Sequence, residues 1–209
     1  DAAGSGNLVW AGTGSTTVSS GGANNSIFGS YNGTGGTLTA ALSGGNDLVS
    51  LGDSNGFVST SGSNAFVQGG VAGTTLAIAD TGSHDVFNGL SSNEVASLGG
   101  SAAYLQGGTA GSTMTVVDTG TSDTINAMSS SVAVTANGSG LYVNGGSGPL
   151  TFVGGADPST VFGSSTGSTV TAGSGGVMFD ANGTNNLASG TAGSTSTIFG
   201  SADTSVTFT

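Results

Sequence analysis

Residues 66–89 read FVQGGVAGTTLAIADTGSHDVFNG and residues 104–127 read YLQGGTAGSTMTVVDTGTSDTINA, one segment written twice at an offset of 38 without a gap. The register extends backward, placing Phe28, Thr37-Leu38 and Asp47 one period before Phe66, Thr75-Leu76 and Asp85. It extends forward to Tyr142-Val143-Asn144 and then slips, with TAGSTSTIFG at 191–200 echoing 109–118. Self-similarity at such a period marks a chain built by stacking one small unit on the next.

Each unit contains two similar halves. Short apolar runs recur at half the long period, from Leu8-Val9-Trp10 through Phe66-Val67, Val86-Phe87 and Tyr104-Leu105 to Ile198-Phe199. A second series alternates with them: Val18, Leu38, Val58, Leu76, Val95, Met114, Val132, Leu150, Val170, Leu187 and Val206. Runs of three to five residues rich in Val, Ile, Phe, Thr and Tyr favour strands, and the Gly, Asn and Asp after each run supply tight turns. No stretch combines helical periodicity with strong helix formers. The expectation is an all-β protein, a parallel β-solenoid with about 19 residues and two short strands per coil. About eleven coils fill a single domain over residues 1–209, a rod about 50 Å long at the inter-strand spacing. Phe66, Phe87, Tyr104, Ile125 and Tyr142 are expected to form one inward ladder.

Composition sets the limits on function. The chain has no Lys, Arg or Cys, one His (His84) and 11 acidic residues, for a formal charge of −11. Without basic side chains it cannot bind nucleic acid by releasing counterions or dock on anionic lipid. No apolar run is long enough for a membrane-spanning helix, so neither nucleic acid nor membrane insertion is expected. Divalent cations are the natural partners of an acidic surface. The opening Asp1-Ala2-Ala3-Gly4-Ser5-Gly6 has no secretory-signal pattern, and the absence of Cys is compatible with an extracellular or cell-surface location.

The turns Gly44-Gly45-Asn46-Asp47-Leu48-Val49, Gly82-Ser83-His84-Asp85-Val86-Phe87 and Gly120-Thr121-Ser122-Asp123-Thr124-Ile125 resemble the RTX (haemolysin-type) calcium-binding β-roll, whose pattern is G-G-x-G-x-D-x-U-x. No turn carries the full motif, and Gly62-Ser63-Asn64-Ala65 and Gly99-Gly100-Ser101-Ala102 lack the Asp. The resemblance implies a β-roll fold and Ca2+ as a ligand. The candidate metal residues are Asp47, Asp80, Asp85, Asp118 and Asp123, the last four forming two pairs five residues apart around a Gly. The bland reading is that each Asp caps its own turn. Asp53, Asp157, Asp180 and Asp203 are scattered.

Catalysis has little to rest on. His84 has no second His or Cys with which to build a nucleophilic or metal site. Glu94 is the sole Glu, and no large aromatic cluster is visible to grip a sugar. No enzymatic activity is expected. Thr-x-Thr pairs at 37/39, 113/115, 169/171 and 195/197 raise ice binding as a minor alternative, but intervening coils lack the pair.

No cap is visible before the first strand or after Val206-Thr207-Phe208-Thr209, and a solenoid with unpaired edges invites head-to-tail stacking. The expected function is that of a structural subunit of an extracellular filament, surface layer or biofilm-matrix fibre, with the chain itself as its partner. The alternative is a calcium-dependent RTX-like stalk or adhesin module of a larger secreted protein.

Overall fold

The computed structural model describes residues 4–31, 35–191, 193–200 and 204–208. Asp1-Ala2-Ala3, Asp203 and Thr209 lie outside them. Twenty-two strands, from β1 (Leu8–Trp10) to β22 (Thr204–Phe208), form two parallel sheets of eleven. Odd-numbered strands make one sheet and even-numbered strands the other, so each coil contributes one strand to each, and no helix occurs among the described residues. The chain is a parallel β-solenoid. The opposite strand and two corners provide the crossover that parallel pairing requires.

The coils are not uniform. Leu48 pairs with Phe66 at an offset of 18, but Phe66 pairs with Val86 at an offset of 20. Val86 then pairs with Tyr104 and Tyr104 with Thr124, repeating 18 and 20. The long period of 38 is this sum. The two extra residues lie where the chain passes from short to long strand: four residues, Val71–Thr74, precede β8 (Thr75–Asp80), whereas two, Ser91 and Ser92, follow Leu90 before β10 (Asn93–Leu98). From Thr124 onward the spacing settles to 18, through Tyr142, Thr160 and Met178.

A fixed stride of 19 drifts by one residue against such a chain, and one residue reverses a strand's faces. The single ladder expected from Phe66, Phe87, Tyr104, Ile125 and Tyr142 is therefore two. Val49, Val67, Phe87, Leu105, Ile125 and Val143 stack inward and are fully buried. Phe66, Tyr104 and Tyr142 belong to the neighbouring outward row, Phe66 and Tyr142 each 39% exposed. In the second series Val95 and Leu187 likewise point outward.

The six-residue strands of the even-numbered sheet send three residues inward. In β8 these are Leu76, Ile78 and Asp80; in β10 they are Glu94, Ala96 and Leu98. Large residues and glycines meet across the interior: a Cβ on Gly56 in the first row would meet the Leu51 side chain of the other sheet, and one on Gly107 the Met114 methyl. This interlocking of large against absent side chains brings the two sheets together.

The corner after the long strand is the most regular part of the molecule. Gly45, Ser63, Ser83, Ser101, Thr121 and Ser139 continue the parallel pairing around it. The next position has positive φ in every one of these coils, at Asn46, Asn64, His84, Ala102, Ser122 and Gly140. The lone histidine is thus one rung of a left-handed corner, a conformation for which Asn and Gly are the favoured residues.

Candidate functional site

The acidic residues singled out in the sequence lie inside this corner, not on its outer surface. Asp47, Asp80, Asp85, Asp118 and Asp123 are all buried. Asp80 is the last residue of β8 and Asp85 immediately precedes β9 (Val86–Asn88), so the two face each other across the corner's interior. Asp118 and Asp123 repeat the arrangement two coils later. The coil between carries Leu98 and Ala103 at the same positions. This spacing has an electrostatic reason. Adjacent coils lie about 4.8 Å apart, so pairs in successive coils would crowd four carboxylates together.

Backbone donors hold one oxygen of each carboxylate. Ala65 N–H donates to Asp85 Oδ1 at 2.7 Å and Ala103 N–H to Asp123 Oδ1 at 2.8 Å. Gly82 N–H donates to Asp80 Oδ1 at 2.8 Å, and Gly120 N–H to Asp118 Oδ1 at 3.1 Å. The Thr60 hydroxyl donates to Asp80 Oδ1 at 2.6 Å, a contact that Leu98 cannot give Asp118. The four Oδ2 atoms are buried without a donor. Burial pushes both Asp85 and Asp123 above the ordinary carboxylate range, and the neighbouring Asp80 and Asp118 push in the same direction. Each pair is therefore suited to sharing a proton, with one carboxyl donating to the other.

Asp47 differs. Its Oδ1 accepts from Asn25 N at 2.8 Å and Asn25 Nδ2 at 3.1 Å, and its Oδ2 accepts from the Ser20 hydroxyl at 3.1 Å. Its opposite number is the apolar Leu42, so it forms no pair. One coil earlier Asn25 Oδ1 takes the Asn7 N–H at 2.9 Å. The row is an inward capping ladder in which each carboxylate or amide holds the coil before it.

Two features escaped sequence reasoning. Glu94 is 1% exposed, lies inward between Leu76 and Met114, and has no hydrogen-bond partner for either carboxylate oxygen. Burial alone pushes it up to about 8. Its place in register between the apolar Leu76 and Met114 was the available signal. The other feature is an aromatic cluster on the outer face: Trp10 stacks on Phe28 at 4.6 Å with 20° between planes, and Tyr31 meets Trp10 edge-on at 6.2 Å. The Tyr31 hydroxyl lies 2.6 Å from Ser50 Oγ. This corrects the expectation of no aromatic cluster. Trp10 and Phe28 are paired rungs of successive coils, which a search for clusters local in sequence does not join.

The surface is much less acidic than the composition suggests. Asp47, Asp80, Asp85, Glu94, Asp118 and Asp123 account for six of the 11 acids and are buried. Among the described residues Asp53, Asp157 and Asp180 are the acids outside the core. No group of three or more His, Cys, Asp or Glu side chains is placed to hold a metal ion among the described residues. Three Thr-x-Thr pairs lie on the outer face of the long-strand sheet, interrupted by Phe57 and Val95, while Thr197 of the fourth belongs to the other sheet.

Compared with known proteins, the chain matches no family model, no curated protein and no solved structure.

Proposed function

We propose that this chain is a structural unit of an extracellular filament, surface layer or biofilm-matrix fibre, in which solenoids join head to tail through their end coils. The observation behind this reading is the uninterrupted register of the two ladders, from β1 and β2 (Ser15–Ser20) to β21 (Thr197–Phe199) and β22. Each of these four outermost strands pairs on one side only among the described residues. The edge of a parallel ladder can be extended by a further coil, and a second copy offers one of matching geometry. Asp47, Asp80, Asp85, Glu94, Asp118 and Asp123 lie inside the coil and not on its surface. Negative-stain microscopy of the purified chain should show long fibres of uniform width. Monodisperse short rods at the highest soluble concentration would exclude head-to-tail assembly.

One observation favours the alternative, a calcium-dependent RTX-like stalk or adhesin module: the four Oδ2 atoms of the two Asp pairs have no donor. Ca2+ takes six to eight oxygen ligands, and each corner offers two carboxylates and, in one case, the Thr60 hydroxyl. The reading therefore requires the corner to open to water or to a neighbouring carbonyl. A thermal midpoint that rises on adding Ca2+ and returns with chelator supports it; superimposable melts exclude it.

A further inference from the structure

The outer face of the long-strand sheet carries no charged side chain along its described length. One of its rows alternates hydroxyl-bearing and apolar residues, Ser19, Ala41, Ser59, Ala79, Ser97, Val117, Thr135 and Val153 in turn, and Phe57, Val95, Val117, Val153 and Leu187 are all well exposed. Among the described residues the acids outside the core lie elsewhere. Asp53 occupies the corner before the long strand, Asp157 the corner after it, and Asp180 the outer face of the short-strand sheet. A soluble sheet ordinarily mixes charges into such a face to prevent association, and none is present here.

We propose that this face is the interface for a second copy of the chain, which packs on it sheet to sheet. The reading is independent of head-to-tail joining, because it uses the sides of the rod and not its ends. Three observations select a copy of the same chain. First, two acidic molecules with no Lys or Arg must meet where neither brings a carboxylate against the other, and this face satisfies that for both at once. Second, eleven strands at about 4.8 Å by about five residues at about 3.3 Å give a face of roughly 50 by 17 Å, or about 850 Å². That matches the roughly 800 Å² per partner of a stable protein interface. Third, the relief changes along one row of the face. A shallow hollow of about 320 Å³ lies beside Ala41, Ser59 and Ala79, and the same row rises to Val117 and Val153 farther along. A copy running in the opposite direction sets the ridge of one against the hollow of the other.

The test uses the full chain in sedimentation and small-angle X-ray scattering. The wild type is expected to form a dimer of doubled thickness and unchanged length, whereas head-to-tail joining lengthens the rod without thickening it. The double variant Thr115→Glu/Thr169→Glu places charge on exposed positions of the face and should weaken pairing at least 100-fold. Thr124→Glu/Thr160→Glu, on the outer face of the other sheet, should leave it unchanged. Circular dichroism establishes that both variants are folded. Mixing the Glu variant with Thr115→Lys/Thr169→Lys should restore a thickened heterodimer. A wild type that stays monomeric in thickness, a face variant that pairs normally, or equal loss in both Glu variants overturns the proposal. Absence of fibres with retention of the thickened pair would reject head-to-tail assembly alone.

Discussion

Glu94 shows what a single residue can cost a thin core. Its carboxyl is buried between Leu76 and Met114 with neither oxygen satisfied, and the group stays protonated at neutral pH because ionising it there is harder than in the unfolded chain. The shift from 4.5 to about 8 amounts to roughly 4–5 kcal/mol of stability forgone at pH 8. Glu94→Met matches the length of the side chain and repeats the residue of the next rung. It should raise the urea midpoint markedly at pH 8 and much less at pH 4.5; equal effects at the two pH values would place the cost in packing instead. Ala102 has φ 56° at the left-handed corner. Ala102→Gly should stabilise the fold by up to about 1 kcal/mol in the same assay, because the backbone strain relieved exceeds the added chain entropy. The sequence marked Asp80, Asp85, Asp118 and Asp123 as a series but did not show which way they faced. Runs such as Val86-Phe87 are apolar at both positions, so alternation does not distinguish inside from outside.

At the scale of the coil, stacking at the corner depends on glycine for close approach. A Cβ on Gly62 would run into the Gly44 carbonyl oxygen, and rows of the same kind continue at Gly82, Gly100, Gly120 and Gly138. Backbone cannot yield there without opening the inter-coil hydrogen bonds on both sides. Gly62→Ala should therefore destabilise by roughly 3 kcal/mol or more, in the range of overpacking and local strain combined. Gly73, in the turn of one of the longer coils, has open space around its Cα and only its φ of +88° to constrain it. Gly73→Ala should cost about 1 kcal/mol, and urea denaturation of the two variants side by side measures the difference. A larger loss at Gly73 would contradict the assignment of close approach to the corner. The coil, its two strands and its turn glycines were legible because they repeat. The alternation of offsets between 18 and 20 was not, because it averages to a constant stride and the two added residues fall in a Gly- and Thr-containing turn resembling its neighbours.

Across the whole molecule, the buried acids set how stability depends on pH. Glu94, Asp85 and Asp123 are all raised, in each case chiefly by burial. A carboxyl raised in the folded state binds its proton there at pH values where the unfolded chain has already released it. Below about pH 4 both states are protonated and these groups contribute nothing. As pH rises toward 8 the unfolded state gains progressively by ionising, and stability falls. Folding at neutral pH thus takes up protons, and the folded chain carries less charge than its formal −11. The thermal midpoint should be highest at or below about pH 4 and decline from there to about pH 8, where Glu94 itself ionises and the slope flattens. The usual acidic protein, whose carboxylates are stabilised by lysines and arginines, gains stability over the same interval; this chain has neither residue. A midpoint that rises between pH 5 and 8 would mean that the interior carboxylates are charged and matched by a bound cation. Repeating the scan with chelator separates that case from proton sharing, because only the cation-matched protein would then lose its stability at high pH.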